Sequence, residues 1–350
     1  MPCVMINNLS LDYKSIITFD NLFNAYLCAR KGKRHKRYVL EFELNLGKNL
    51  SDLYNDLINH TYRPKPCREF DIWCKAGQKQ RHITAPNFRD LIVEFCVYNA
   101  IYNTFDKTLI HDSYGCRRGK GTSHCADRCH QFVRRYNSNL YYLQIDIRKY
   151  YYSLDHKILK RALNRVIKDT DVLDLIMMFI SNRERGVNVG SLIAQFCGII
   201  YLNQFDHYVK RVLKIKSYLR YVDDMVFIGL TRQQAIELKD KCEVFLKTYL
   251  NLNYSHWKID KLSHGVNFVG YRAYRKYRIV RKRTIYSFCK AIKKRNYNAL
   301  ESLLAMAFNS ASYKFLIQKL DNHCEYPNHI LRRVKQWLSI PMLRPLSQVL

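Results

Sequence analysis

Acidic residues are scarce in this chain. Asp and Glu total 29 against 59 Lys and Arg among 350 residues, a formal net charge of +30 at pH 7. So large an excess is self-repulsive unless something anionic screens it. Glycine and proline are few as well, 12 and 7, while 48% of the chain is apolar and it holds 17 Phe and 27 Tyr. That balance excludes a disordered, low-complexity chain and points to a folded one with an apolar core. No apolar run reaches the roughly 18 residues of a spanning helix. Met1 to Asp12 lacks the basic stretch followed by an apolar run that marks a secretory leader. The cations are spread along the chain instead of gathered on one amphipathic helix, so nucleic acid fits better than a membrane surface.

Cysteine is not scarce, at twelve, but no C-x-x-C element occurs. His124-Cys125 and Cys129-His130 come nearest to a metal-binding spacing, and buried thiols in a reducing cytosol are the commoner fate of such residues. The reading is a cytoplasmic protein with free thiols.

Apolar spacing predicts helices over residues 14–60, with Asp20 as an N-terminal cap and a basic connector from Lys31 to Arg37. From Glu69 the pattern becomes alternating. A hairpin is expected, with a polar turn at Lys75–Gln80 and a second strand at Arg81–Thr84. Arg89–Asp106 reads as an amphipathic helix, Leu140–Ile147 as a strand and Leu154–Ile167 as a helix with Asp155 near its start. Ser191–Leu213 reads as one long helix, Tyr218–Gly229 as strand, tight turn and strand, and Arg232–Leu250 as a helix. Asn267–Tyr271 is a short strand, and the remainder is basic and mainly helical. The order β-α-β-β-α-β between helical flanks suggests an α+β fold built on a split βαβ, ferredoxin-like sheet.

The scarce acids then become informative. Asp146 ends the strand LQIDI, and Asp223 and Asp224 stand in the turn of YVDDMVF. Adjacent carboxylates repel, and are tolerated in water or around a cation. In a split βαβ sheet the first strand and the later hairpin lie side by side, so Asp146 and Asp223 converge from 77 positions apart. Carboxylates without His or Cys suit a hard cation such as Mg²⁺. A pair of such ions activates a hydroxyl and stabilises a leaving pyrophosphate. On a basic protein this is nucleotidyl-transfer chemistry. The plain alternative is that Asp-Asp is turn chemistry and Asp155 a helix cap.

Tyr221-Val222-Asp223-Asp224 resembles the aromatic-x-Asp-Asp signature of reverse transcriptases, and Asp146 precedes Tyr151 by five residues, as the first catalytic Asp precedes the aromatic gate in that family. The resemblance implies a right-hand polymerase with fingers, a ferredoxin-like palm and a helical thumb. It implies Asp146, Asp223 and Asp224 as catalytic residues. Two Mg²⁺ ions, or Mn²⁺ in their place, would be held by them and the Ile147 backbone carbonyl. Lys79 and Arg81 match the pair that holds the triphosphate. Tyr151 matches the ring that leaves no room for a 2′-hydroxyl. Val189, Gly190 and Gln195 fall in the palm motif before the long helix, and Lys258 at a lysine that assists pyrophosphate departure. Gly115-Cys116-Arg117 to Gly119-Lys120-Gly121-Thr122 resembles a template-contacting segment, where glycines and basic residues permit close approach to phosphates. Phe268, Gly270, Tyr271 and Arg272 resemble the primer grip. From Arg272 to Arg295 there are eleven Lys or Arg, among them Arg281, Lys282 and Arg283, and no acid. Interleaved tyrosines suit a surface that tracks a template–primer duplex.

The implied domains are an N-terminal helical, basic extension over 1–65, fingers with palm elements over 66–135, palm over 136–272 and thumb over 273–350. The strings VGSLIAQ, YLNQFDH, SHWK and GVNFVGYR look closest to reverse transcriptases of diversity-generating retroelements. There the product is mutagenised cDNA of a dedicated RNA template in a bacterial or phage-infected cell, and a small basic accessory protein is a partner. This chain has Ala194-Gln195 where that group has Ser-Gln, and Asn188 where it has Pro. Val189 replaces a glutamine found in accurate enzymes, which implies error-prone synthesis. An antiphage-defence reverse transcriptase working with a non-coding RNA is the competing role. A non-catalytic RNA-binding protein is the reading from another class.

Overall fold

The computed structural model describes residues 11–74, 79–180, 185–325 and 327–338. In chain order the elements begin with helices α1 (Tyr13–Ile16), α2 (Phe19–Arg30), α3 (Arg37–Glu43) and α4 (Leu46–Ile58). Strands β1 (Arg68–Cys74) and β2 (Lys79–Ala85) follow, then α5 (Phe88–Asp106), β3 (Ser113–Tyr114), α6 (Thr122–Arg134) and β4 (Tyr141–Ile147). A helical run comes next: α7 (Tyr150–Ser153), α8 (His156–Asn164), α9 (Thr170–Met178), α10 (Leu192–Tyr201) and α11 (Asn203–His207). After it stand β5 (Tyr218–Tyr221), β6 (Asp224–Leu230), α12 (Arg232–Leu250), β7 (Tyr254–Lys261), β8 (Val266–Phe268), β9 (Tyr271–Ala273) and β10 (Arg278–Val280). Helices α13 (Lys282–Lys293), α14 (Tyr297–Ala307), α15 (Ser312–Asp321) and α16 (Pro327–Leu338) close the order. These form two compact units. One comprises Met1–Ile110, Arg148–His207 and Phe245–Asn253; the other comprises His111–Ile147, Tyr208–Val244 and Tyr254–Leu350.

In the first unit the buried side of α2, with Leu22, Ala25 and Tyr26, packs on α5. Asn21 is buried there and its amide nitrogen donates to the Ile16 carbonyl at 2.7 Å, which satisfies that buried donor. Tyr98, Tyr102 and Phe105 of α5 surround Phe196 of α10 with ring centroids 5.2–5.9 Å apart, a packing that fixes one helix against the other. The cap of α2 is Thr18, whose hydroxyl accepts from Asn21 N at 3.2 Å. Asp20, expected in that role, lies in the first turn, where its charge still favours the helix dipole. Asp155 caps α8 as its position suggested, accepting from Lys157 N and Ile158 N. The hairpin has its second strand from Lys79, two residues earlier than expected. Its expected tip at residues 75–78 lies outside the described residues.

The second unit is built on a five-stranded sheet of order β3-β5-β6-β4-β7. Strands β5, β6, β4 and β7 are antiparallel neighbours in the order of a split βαβ sheet, and β3 adds a short parallel edge to β5. Tyr142, Leu219, Val226 and Ile228 of the sheet pack against Cys125, Cys129, Phe132 and Val133 of α6 and against Phe268. Cys125 and Cys129 are therefore core thiols, and burial pushes the Cys129 thiol up to about 12. A second core joins α13 to α16 through Phe288, Leu300, Leu304, Leu316, Leu320, Ile330 and Val334.

The long helix expected over residues 191–213 is interrupted. It comprises α10, α11 and a π-helical turn at Tyr208–Val212. A π turn inserts a residue and so rotates the side chains beyond it around the helix axis. Lys210 within it reaches Asp112 at 3.1 Å, an ion pair that apolar periodicity does not reveal.

Candidate active site

Strand β4 carries Asp146 near its C-terminal end, and β6 begins at Asp224. In the register of the two strands Asp146 is opposite Asp224, with Asp223 in the turn immediately before. Directly opposed residues of an antiparallel pair project to the same face. Strand pairing thus sets Asp146 against Asp224, where the sequence pointed to Asp146 and Asp223.

The turn itself is held in an unusual backbone. Val222 has φ +57°, a left-handed conformation that a β-branched residue adopts only at a cost of about 1–3 kcal/mol. Four contacts impose it. Val222 N donates to the Tyr114 carbonyl at 3.0 Å. Arg220, wholly buried beneath, donates to the Val222 carbonyl at 2.7 Å. The hydroxyls of Tyr221 and Thr122 lie 3.1 Å apart. Finally, the Val222 side chain lies over Gly115, φ +84°, where a Cβ would come within 2.6 Å of Val222 Cγ2. Gly115 belongs to the segment expected to admit phosphates. Its missing side chain makes room for Val222 in the Asp-Asp turn.

The carboxylates are not equivalent. Asp224 is pushed up to about 6, first by burial; the amide of Gln144 draws it back, and the neighbouring charges of Asp146 and Asp223 raise it further. Gln144 Nε2 donates to Asp224 Oδ1 at 3.0 Å. Asp146 accepts from the hydroxyl of Ser255 on β7. Sequence reading missed Gln144, Ser255 and Arg220. Gln144 was within reach of it, because residues two apart on a strand share a face.

Among the described residues, no three His, Cys, Asp or Glu side chains already surround one point at ligand spacing. The donor set nevertheless fits a divalent cation in its chemistry. It is all oxygen, and like charges crowd a partly buried corner where the charge of Arg281 offsets them in part.

Lys258, on β7 opposite Gln144, pairs with Asp260 at 2.7 Å, and that contact holds its pKa above the usual lysine range. Lys120 donates to the His111 carbonyl at 2.9 Å and Arg117 to the Ser113 carbonyl at 2.8 Å. Phe268 and Tyr271 are buried, and the Tyr271 hydroxyl donates to the Met306 carbonyl. What their hairpin exposes is Arg272, with Gly270 in the turn. Arg281, Lys282 and Arg283 are exposed at the start of α13.

In the first unit Lys79 opens β2, opposite Cys74, and its side chain lies outside the described residues. Arg81 is exposed two positions on. Tyr151 is half-buried in α7. Thr84 N donates to the Val189 carbonyl at 2.8 Å, and a Cβ on Gly190 would lie 2.9 Å from the Thr84 carbonyl, so only glycine allows this approach. Gln195 is half-exposed in the first turn of α10. The amino end of that helix meets Glu94, which is buried in α5 and accepts from Leu192 N at 2.7 Å. Burial pushes Glu94 up to about 7. Glu94 was also missed in the sequence, since an acid within an apolar helix face gives no hint of the amide it faces.

Residues 74–273, more than half of the chain, match the reverse transcriptase (RNA-dependent DNA polymerase) family. The chain belongs to the reverse transcriptase family. It is by family an RNA-directed DNA polymerase, and its fold class is that of the right-hand polymerases. Protein YkfC of Escherichia coli (strain K12) is 24% identical, over 73% of this chain and 79% of that protein. The group II intron-encoded protein LtrA of Lactococcus lactis subsp. cremoris is 23% identical over 58% of this chain, which spans only 36% of LtrA. Among solved structures, a telomerase of Candida albicans in complex with a fragment of telomeric RNA has a TM-score of 0.49 at 12% identity, covering 80% of this chain and 56% of that one. A telomerase of Candida tropicalis has a TM-score of 0.47 at 13% identity, covering 79% and 59%. Among the described residues no helix is long and apolar enough to cross a membrane.

Proposed function

We propose that this reverse transcriptase copies a dedicated RNA into cDNA by two-metal nucleotidyl transfer, with low fidelity, as the polymerase of a diversity-generating retroelement in the bacterial cytoplasm. The observation that carries the catalytic reading is the pairing of Asp146 with Asp224 beside Asp223 in a strained turn. Asp146, Asp223, Asp224 and the Ile147 carbonyl would hold two Mg²⁺ ions. When bound, such ions make a primer hydroxyl nucleophilic at neutral pH and offset the charge of the departing pyrophosphate.

The rest falls to the chain's own side chains. Lys79 and Arg81 hold the triphosphate, since fixed cations suit its non-bridging oxygens. Tyr151 excludes a 2′-hydroxyl, and Val189, Gly190 and Gln195 line the nucleotide's place. Lys258, kept protonated by Asp260, supplies a cation for pyrophosphate. Arg117 and Lys120 contact template. Phe268, Gly270, Tyr271 and Arg272 support the primer end, and Arg281, Lys282 and Arg283 open a thumb that grips the RNA–DNA hybrid by phosphate and shape. Under this reading residues 1–65 are an N-terminal extension, 66–135 fingers, 136–272 palm and 273–350 thumb.

Asp223→Asn with Asp224→Asn tests the catalytic reading. RNA binding should survive while Mg²⁺-dependent dNTP incorporation disappears; persistent incorporation refutes the assignment. Val189→Gln tests fidelity, because an aliphatic side chain cannot make the hydrogen bond by which glutamine checks the primer and sugar. Misincorporation opposite template adenine should fall, and equal error rates remove the link. Sequencing of the RNA that co-purifies from the native host, and of the cDNA made, tests the biological role. Mutagenised copies of one template repeat support diversification, whereas repetitive or concatenated DNA made on infection supports a defence role.

A further inference from the structure

Gly198 is a glycine in the middle of α10, where alanine is the better helix former. Its surroundings explain it. A Cβ at position 198 would lie 2.8 Å from Tyr151 Cε1 and 3.5 Å from Tyr151 Cζ, but 3.4 Å from Tyr150 Cε1. Carbon atoms rest at about 3.5–4.0 Å. The clash is therefore with Tyr151, and the contact with Tyr150 is nearly ordinary.

The two tyrosines differ in what they can do about it. Tyr150 is buried and its hydroxyl donates to the Gly198 carbonyl, which pins the start of α7 to α10. The Tyr151 ring, 5.3 Å from that of Tyr150, is only half-buried. A methyl group at 198 would leave Tyr150 in place and lift the Tyr151 ring off α10 by about 1 Å.

We propose that Gly198 is a positioning residue that sets the depth of the Tyr151 ring, and through it the room left for the sugar of the incoming nucleotide. This rests on the reading of Tyr151 as the sugar gate. On that reading the ring stands between α10 and the sugar, so a raised ring narrows the sugar's space. Gly198→Ala then weakens deoxynucleotide binding and disfavours ribonucleotides still more.

The experiment compares wild type, Gly198→Ala, Tyr151→Ala and the double variant, using dTTP and UTP on oligo(dT)-primed poly(rA), with thermal melting of each protein. Tyr151→Ala alone reads the gate, and UTP use should rise about tenfold or more; UTP still excluded would overturn the gate reading without involving position 198. With the gate intact, Gly198→Ala should raise KM for dTTP about tenfold, leave kcat within about twofold and lower the UTP-to-dTTP ratio. In the Tyr151→Ala background the same substitution should change dTTP kinetics by less than about twofold. An unchanged KM, or an equal shift in both backgrounds, overturns the proposal. Should Gly198→Ala fail to fold, folding of the double variant supports the contact. Failure of both overturns it, because the methyl then meets something other than Tyr151.

Discussion

Asp224, the first residue of β6, stands opposite Asp146 on β4 and accepts a hydrogen bond from Gln144, two residues before Asp146 on the same strand. One amide thus holds one of two carboxylates that would otherwise repel across the sheet. The arrangement keeps the donors of the candidate site in place before any substrate arrives.

Replacing Gln144 tests that role. Gln144→Leu leaves Asp224 buried without its donor, and losing a hydrogen bond to a charged group costs about 1.5–3 kcal/mol. A fall of about tenfold or more in kcat at saturating Mg²⁺ is expected. Gln144→Glu should be worse, since it adds a further charge to the cluster. Primer extension, with melting temperature as control, measures both; wild-type kcat in Gln144→Leu argues that Asp224 needs no such support.

Gly115→Ala asks how closely the turn is constrained. The substitution is strained twice, by φ +84° and by the contact with Val222 Cγ2. We expect destabilisation of about 1–3 kcal/mol and a loss of kcat that exceeds what the fraction unfolded explains. Denaturant titration beside primer extension separates the two effects.

Glu94 predicts a pH dependence of stability. Its carboxyl is raised by burial from 4.5 to about 7 in the folded chain. A raised folded pKa means that the native state holds the proton more tightly than the unfolded state. Its contribution is therefore complete below about pH 4.5 and is lost as pH rises through about 7, to a total on the order of 3 kcal/mol. Glu94→Gln keeps an acceptor for Leu192 N and cannot ionise. The difference in unfolding free energy between wild type and Glu94→Gln should grow from pH 4.5 to 7 and then level off. A difference that does not vary with pH places the Glu94 carboxyl near its ordinary value.

The charge excess of +30 predicts RNA–DNA hybrid binding that weakens steeply with salt. Lys282→Ala and Arg283→Ala, both on the exposed start of α13, should each lower the slope of log affinity against log salt by about 1 without changing sequence preference. Fluorescence anisotropy across 50–200 mM salt, the range over which such losses are large, reads the slope. A slope unaltered by either change removes α13 from the duplex-binding surface.

Much of this protein was legible from local pattern. Tyr141–Ile147, Tyr218–Tyr221 and Asp224–Leu230 are strands, short apolar runs bounded by turn residues, and the helices with strong apolar periodicity lie where that period puts them. The cap at Asp155 was legible, and the acids at 146, 223 and 224 could be named as candidates, because capping and hard-ligand chemistry depend on residue type. The break after α10 was not legible, because a π turn is selected by contacts such as Lys210 with Asp112, 98 positions apart.

The sequence by itself determined the folded, basic character of the chain, its alternation of helix and strand, and which carboxylates to propose for the chemistry. Each of these follows from composition or from neighbours a few residues away. Only the tertiary structure decided that Asp146 is paired with Asp224, that Gln144 and Ser255 hold them, that Gly115 serves Val222 and that Gly198 lies under Tyr151. These relationships depend on strand register and on packing distances of a few ångströms between distant segments, which no local pattern encodes.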